Sequence, residues 1–243
     1  MSSIETILDV EVTTLPPDKL LADINAKIKQ KQKGRIVAIN PEKIMMAQQD
    51  ESLKQLLNSS AYKIPDGIGV SIASKLGGGQ IRWRVTGVGM MESLLELADR
   101  EQHKVFFYGA KEEVVKGAME NIQKQYPLLP IAGYCNGYEQ DEQKIIDQIN
   151  ESGADIVFVA LGSPRQELFI ERNMDKLNAS IYQGVGGSFD VFSGTVKRAP
   201  EAFQKIGMEW FYRLITNPSR IKRQMALPKF LLAAFSQRKK DSK

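Results

Sequence analysis

Apolar residues along this chain recur at two spacings, and the changes from one to the other mark out its elements. Ile7 to Val12 alternates apolar with polar and predicts a short strand. Asp18 to Lys31 carries Leu20, Leu21, Ile24 and Ile28 at helical spacing, ended by Gly34. Arg35 to Ile39 is a strand of the buried kind, apolar from Ile36 onward. Asn40-Pro41-Glu42 then supplies an N-cap residue, a proline for the first helical position and an acid for the first turn of a helix over 42–57. A third helix is predicted from Ile68 to Leu76, after Pro65-Asp66-Gly67. Gly77-Gly78-Gly79 breaks that pattern, so 80–86, with Arg82 and Arg84, reads as a loop.

Strand and helix then alternate to the end of the core. Helices are predicted over 90–102, 112–126, 139–151 and 163–177, and strands over 104–108, 130–134, 155–161 and 180–185. Such alternation predicts an α/β fold: a Rossmann-like, mostly parallel sheet with helices on both faces, followed by a C-terminal helical appendage. Ligands in that architecture lie beyond the carboxyl ends of the strands. Asn40, Gly109, Gly162 and Gly186 all fall just past such ends.

Composition narrows the chemistry. The chain has 243 residues, one cysteine and one histidine. Cys135 excludes an internal disulfide and suits a reducing compartment. His103 would have to serve any triad or histidine-rich metal site, and its polar segment places it instead in a solvent-facing loop. The first fifteen residues lack the basic and apolar regions of a signal peptide, and no run approaches the ~20 apolar residues that span a bilayer. A net charge of +4 suits a polyanion, a phosphorylated ligand or an anionic membrane.

The charge is unevenly placed. From Gln204 onward ten basic residues face two acids and are interleaved with Trp210, Phe211, Leu214, Ile215, Phe230, Leu231 and Phe235. A basic, amphipathic segment over 204–243, separate from a catalytic core over 1–203, suits the surface of an anionic membrane. Nucleic acid, a partner's groove, or simple packing on the core would use the same pattern.

Several polar residues have both a structural and a chemical use. Asn40 caps a helix, and Asp66 occupies a turn that favours Pro-Asp-Gly. Ser163 and Gln166 fit a capping box, whose exposed N–H groups would also suit a phosphate. Gly184, Gly186 and Gly187 allow close approach of backbone N–H groups to an anion. Arg84 and Arg198 are surface charges or phosphate forks. Tyr134 and Tyr138 fill the rim or stack on a base. There is no Asp-x-Asp pair to hold a divalent ion against a diphosphate, so neither metal nor cofactor is expected.

Taken in order, Asn40-Pro41-Glu42, Pro65-Asp66-Gly67-Ile68-Gly69, Arg84-Val85-Thr86-Gly87, Gly162-Ser163-Pro164-Arg165-Gln166-Glu167, Gly184-Val185-Gly186-Gly187-Ser188-Phe189-Asp190, Arg198-Ala199-Pro200 and Glu209-Trp210 with Arg213-Leu214 resemble the WecG/TagA/CpsF glycosyltransferase family. The resemblance runs from Asn40 to about Arg223 and departs at Ala38, where many relatives have threonine. It implies inverting, metal-independent transfer of an N-acetylmannosamine-type sugar from UDP to a polyprenyl-diphosphate-linked N-acetylglucosamine. In one branch that step builds the linkage unit of wall teichoic acid; a related donor, such as the oxidised sugar, serves other surface polysaccharides. Asp66 would be the general base. Asn40, Arg84 and Gln166, with Gly186 and Gly187, would surround the donor sugar and diphosphate, and Tyr138 and Asp190 the nucleoside. Arg213, Arg220 and Arg223 would meet the lipid diphosphate. The implied partners are the UDP-sugar, the lipid-linked acceptor and the inner face of the cytoplasmic membrane, not nucleic acid; self-association is compatible with all of this.

A nicotinamide-dependent oxidoreductase would need a Gly-x-Gly-x-x-Gly turn after the first core strand. Asn-Pro-Glu stands there instead. A non-catalytic nucleotide-binding adaptor docked by its tail would differ in failing to release UDP from donor and acceptor.

Overall fold

Residues in parallel strands covered on both faces have no side left for water, and Gly34–Ile39, Val105–Gly109 and Ile156–Ala160 are buried at every position. The computed structural model describes residues 3–200, 202–203, 209–216 and 226–241. Their order is β1 (Ile4–Ile7), β2 (Val10–Thr13), α1 (Pro17–Lys29), β3 (Gly34–Ile39), α2 (Pro41–Ala47), α3 (Glu51–Asn58), β4 (Tyr62–Pro65), α4 (Ile68–Gly77) and α5 (Gly87–Glu101). There follow β5 (Val105–Gly109), α6 (Glu112–Gln125), β6 (Ile131–Cys135), α7 (Glu142–Ser152), β7 (Ile156–Ala160), α8 (Arg165–Asn173), β8 (Ile181–Gly184), α9 (Ser188–Phe192), α10 (Glu209–Thr216) and α11 (Ala226–Asp241). Six strands form one sheet in the order β4-β3-β8-β7-β5-β6, with parallel registers such as Val105↔Ile156, Ile156↔Ile181 and Gly34↔Ile181. The expected α/β architecture is therefore present.

The chain divides into two compact units, one of Met1–Pro17, Ala38–Thr86 and Arg198–Lys243, the other of Asp18–Val37 and Gly87–Lys197. In the second unit Phe106, Tyr108, Ile145, Ile149, Val157, Phe169 and Tyr182 form a continuous apolar core. Phe189 on the short α9 closes against Phe107, their ring centres 5.6 Å apart. Burial pushes the Tyr108 hydroxyl up to about 12 and holds Cys135 protonated more firmly than a free thiol.

In the first unit β1 and β2 form an antiparallel hairpin, where the sequence predicts one strand. The turn is Leu8-Asp9, both at positive φ (49° and 61°), with no glycine or asparagine to announce it. Its polar groups are held from outside: Gln48 Nε2 donates to Leu8 O, Leu8 N–H donates to Gln237 Oε1, and Asn58 Nδ2 donates to Asp9 O. The single helix predicted over 42–57 is two, because Asp50 leaves the helical conformation and caps α3 by accepting from Leu53 N–H. α11 packs on α2 and α4. At that contact a Cβ on Gly69 would lie 2.5 Å from Leu227 Cδ1 and 2.6 Å from Pro41 Cγ, so the side-chain-free position sets how closely the helices approach.

His103 is buried, not solvent-facing. Gln102, at φ 58°, turns the chain after α5, and the His103 ring meets Asn25 Oδ1 of α1 at 2.8 Å. Burial lowers its proton affinity below the ordinary histidine value.

Candidate active site

In the first unit the chemistry gathers at strand-to-helix elbows. Asn40, immediately after β3, adopts an extended conformation, and its Oδ1 accepts from Lys43 N–H at 2.9 Å. Capping uses that oxygen alone and keeps the Nδ2 donors for another acceptor. Pro41 occupies the first turn, where no N–H is needed. Ala38, one residue before the end of β3, is buried and brings no hydroxyl.

Asp66 follows β4, and its N–H donates to Ile39 O at 2.8 Å, which sets it beside the end of β3 and hence beside Asn40. Gly67 comes next at φ 84° and ψ 154°, a conformation that only glycine adopts readily, and α4 starts from it with no side-chain cap. Asp66 therefore stands on a rigid elbow, half-buried, rather than in an isolated β-turn. Val85 N–H donates to Pro65 O at 3.0 Å and draws the arginine-bearing loop alongside.

That loop is ordered despite its three glycines. Glu5 of β1 accepts at one oxygen from Ser74 Oγ, Gln80 N–H and Ile81 N–H, at 2.9, 2.7 and 3.1 Å. Gly79 packs so closely on the Glu5 carboxylate that a Cβ there would overlap it. Between the buried anchors Ile81 and Val85, Arg82 and Trp83 are exposed. Arg84, 23% exposed, reaches Glu209 of α10, 13% exposed, with Nη2 and Oε1 at 3.2 Å. Sequence reasoning gave Glu209 no role of its own; its spacing from Trp210 and Arg213 was the available signal. Arg213 lies on α10, its side chain outside what is described, and Arg220 and Arg223 lie outside the described residues.

In the second unit Gln166 is the organiser. The Ser163-x-x-Gln166 pattern does not form a capping box: the residue before α8 is Pro164, after a cis Ser163–Pro164 bond, and it makes no side-chain cap. Gln166 is buried and turned elsewhere. Its Nε2 donates to Glu167 Oε1 at 2.9 Å, and its Oε1 accepts from Gly186 N–H at 3.0 Å. It also packs where a Gly184 Cβ would stand, 2.6 Å from Nε2. The glycine turn after β8 is thus tied to the start of α8 through one amide. Gly186 takes φ 53°, exposed Gly187 precedes α9, and Asp190 sits half-buried in the first turn of that helix.

Tyr138, on the loop after β6, is exposed, and the loop beneath it is fixed. Asn136 Oδ1 accepts from Tyr138 N–H, Gly137 N–H donates to Ala110 O at 2.7 Å, and Glu112 accepts from both Tyr134 Oη and Asn136 Nδ2 at 2.8 Å. Lys116, 2.9 Å away, with these two donors holds the Glu112 carboxyl down at about 2. A flat aromatic ring presented on a braced loop can stack on a base. Sequence reading missed Glu112 because a first-turn acid on a helix is ordinary.

Within the first unit, then, the structure brings together Asn40, Asp66 and Arg84; within the second, Gln166 with Gly186, Gly187 and Asp190. Each group follows carboxyl ends of strands, where α/β folds bind ligands. Among the described residues no cluster of three or more His, Cys, Asp or Glu side chains is gathered for a metal, and no helix is long and apolar enough to cross a membrane.

Residues 5–243 match the sequence profile of the glycosyl transferase WecG/TagA/CpsF family. The chain is similar to an N-acetylglucosaminyldiphosphoundecaprenol N-acetyl-beta-D-mannosaminyltransferase of Bacillus spizizenii, 42% identical over 86% of this chain and 81% of the relative. It is equally similar to the Bacillus subtilis protein of the same name, 42% identical over 87% of this chain and 83% of the relative. With the match extending over both units, the chain belongs to the WecG/TagA/CpsF family of glycosyltransferases.

Proposed function

We propose that this enzyme transfers N-acetylmannosamine from UDP to undecaprenyl-diphosphate-linked N-acetylglucosamine, inverting the donor's anomeric centre and building the linkage unit of wall teichoic acid. The names of the Bacillus relatives supply the sugars and the lipid. The observation that carries the chemistry is the placing of Asp66 on a glycine elbow beside Asn40 and the Arg84 loop.

In this reading the acceptor hydroxyl attacks the anomeric carbon and gives its proton to the Asp66 carboxylate as the new C–O bond forms. The bond from that carbon to the diphosphate breaks, and UDP departs with the electron pair. A neutral sugar hydroxyl is a weak nucleophile, so a positioned carboxylate lowers the barrier. Charge growing on the leaving diphosphate is met by the Arg84 guanidinium and by backbone N–H groups. Asn40 Nδ2 donates to the donor sugar. Gln166 acts by shaping the glycine turn of Gly186 and Gly187, while Tyr138 stacks on the uracil and Asp190 accepts from the ribose.

The segment 204–243 forms the membrane-facing part, with Arg213, Arg220 and Arg223 meeting the lipid diphosphate at the inner leaflet, and the enzyme works as a peripheral protein.

Replacing Asp66 by Asn keeps size and hydrogen-bonding shape but removes the base. Turnover is expected to fall by roughly 10²–10⁴-fold with UDP-N-acetylmannosamine affinity little changed, as measured by UDP release and donor calorimetry. Near-normal turnover rejects Asp66 as the base. A donor screen that found the oxidised sugar used faster would move the enzyme to the alternative polysaccharide role.

A further inference from the structure

Among the described residues most of the exposed large apolar side chains belong to the first unit, and not all of them lie in the C-terminal segment. Ile72 and Leu76 stand one turn apart on α4, opposite its buried Val70 and Ser74. Trp83 follows on the next loop with 48% of its surface exposed. It is held outward: Glu5 pins Gln80 and Ile81, the Arg82 guanidinium donates to Gly79 O at 2.8 Å, and Val85 is tied to Pro65.

Charge points to what this surface meets. From Ile68 to Arg84 there is no acid, while Lys75, Arg82 and Arg84 are basic. The carboxylate reaching this stretch from β1, Glu5, is engaged in three hydrogen bonds, and Arg84 and Glu209 offset each other, which leaves Lys75 and Arg82 as the exposed cations. Tryptophan beside arginine, with aliphatic side chains next to lysine, is the combination that settles at the headgroup level of an anionic bilayer.

We propose that the outer face of α4 and the Gly77–Arg84 loop form a membrane contact separate from the C-terminal segment, with Trp83, Leu76 and Ile72 entering the interface of an anionic leaflet and Lys75 and Arg82 meeting its headgroups. The inference rests on a lipid-linked acceptor. Its use is positional: the loop that rests on lipid continues through Arg84 and Val85 to Pro65, the residue before Asp66, so the depth of Trp83 fixes the height of the base above the bilayer.

The chain has two tryptophans, so Trp210→Phe leaves Trp83 as sole emitter. On phosphatidylglycerol vesicles the full-length variant is expected to show a blue-shifted emission that bromine-labelled acyl chains quench. Trp83→Ser should lower vesicle affinity, and Arg82→Gln should lower it roughly fivefold at low salt. Leu76→Ser, on the helix rather than the loop, should give a parallel loss. Both serine variants should slow transfer to acceptor embedded in vesicles and spare transfer to a water-soluble short-prenyl acceptor. Emission that stays unshifted and unquenched on vesicle-bound enzyme overturns the proposal, as does equal affinity for phosphatidylcholine vesicles. If the unmodified enzyme transfers no sugar to either acceptor, the functional reading fails, while the quenching result still decides the membrane contact.

Discussion

Arg84 meets one carboxylate oxygen through one of its terminal nitrogens, and a guanidinium has five N–H groups in a rigid fork. Glu209 can therefore aim the side chain toward a diphosphate. The pair is partly screened, so its use lies in direction more than in stability. Two substitutions separate aim from charge. Glu209→Ala should raise the donor KM by roughly tenfold, the scale of one hydrogen bond to a charged group. Glu209→Gln keeps an oxygen for Arg84 to donate to and should leave KM near its starting value; equal losses in both variants would mean that the negative charge itself is needed. Asn40 shows how far single residues were legible in the sequence. Its cap was readable from Asn-Pro-Glu, and the structure keeps the cap while sparing the amide's donors. Gln166 was readable as a helix-start residue but not as the tie to Gly186, because that bond spans twenty positions and no local pattern records it. Glu5 and Glu209 were silent for the same reason.

Helices α2, α4 and α11 meet where Gly69 has no side chain, and the elbow residues Asn40 and Asp66 lie just before α2 and α4. Inside a helix alanine is normally favoured over glycine by about 0.5–1 kcal/mol. Gly69→Ala should nevertheless destabilise the first unit by about 1–3 kcal/mol, as overpacking does. Adding Leu227→Ala should restore part of the loss, since it removes the overlap with Leu227 Cδ1 and leaves the one with the Pro41 ring. Chemical denaturation of the single and double variants measures both. Strands β5 and β7, and β3 from Ile36 onward, were legible because burial on both faces forces apolar runs. The hairpin of β1 and β2 was not, since its turn is made by Leu8 and Asp9 and depends on Gln48, Asn58 and Gln237 for hydrogen bonds. The gap between α2 and α3 was hidden for a related reason: Gln48-Gln49-Asp50 contains neither glycine nor proline, and Asp50 does the work by capping.

At the scale of the whole molecule, the buried His103 couples stability to pH near neutrality. His103 is buried against Asn25, and desolvation outweighs the nearby Asp155 and Glu101, which favour its protonation, with Lys29 and Lys31 opposing it. The folded chain thus binds this proton less readily than the unfolded chain, whose histidine titrates near 6.5. Stability is full above that value and declines as pH falls through it towards the lower folded value. Thermal midpoints at pH 7.5 and 5.5 should separate more in the parent protein than in His103→Gln; equal separations would show that other groups set the acid limb. The division into units has a further consequence. The first unit draws on Met1–Pro17, Ala38–Thr86 and Arg198–Lys243, so its last helix is made after everything in the second unit. A nascent chain stalled before α11 carries the whole of the second unit but lacks the helix that packs on α2 and α4, behind Asn40 and Asp66, so sugar transfer is expected only from chains in which α11 has been made.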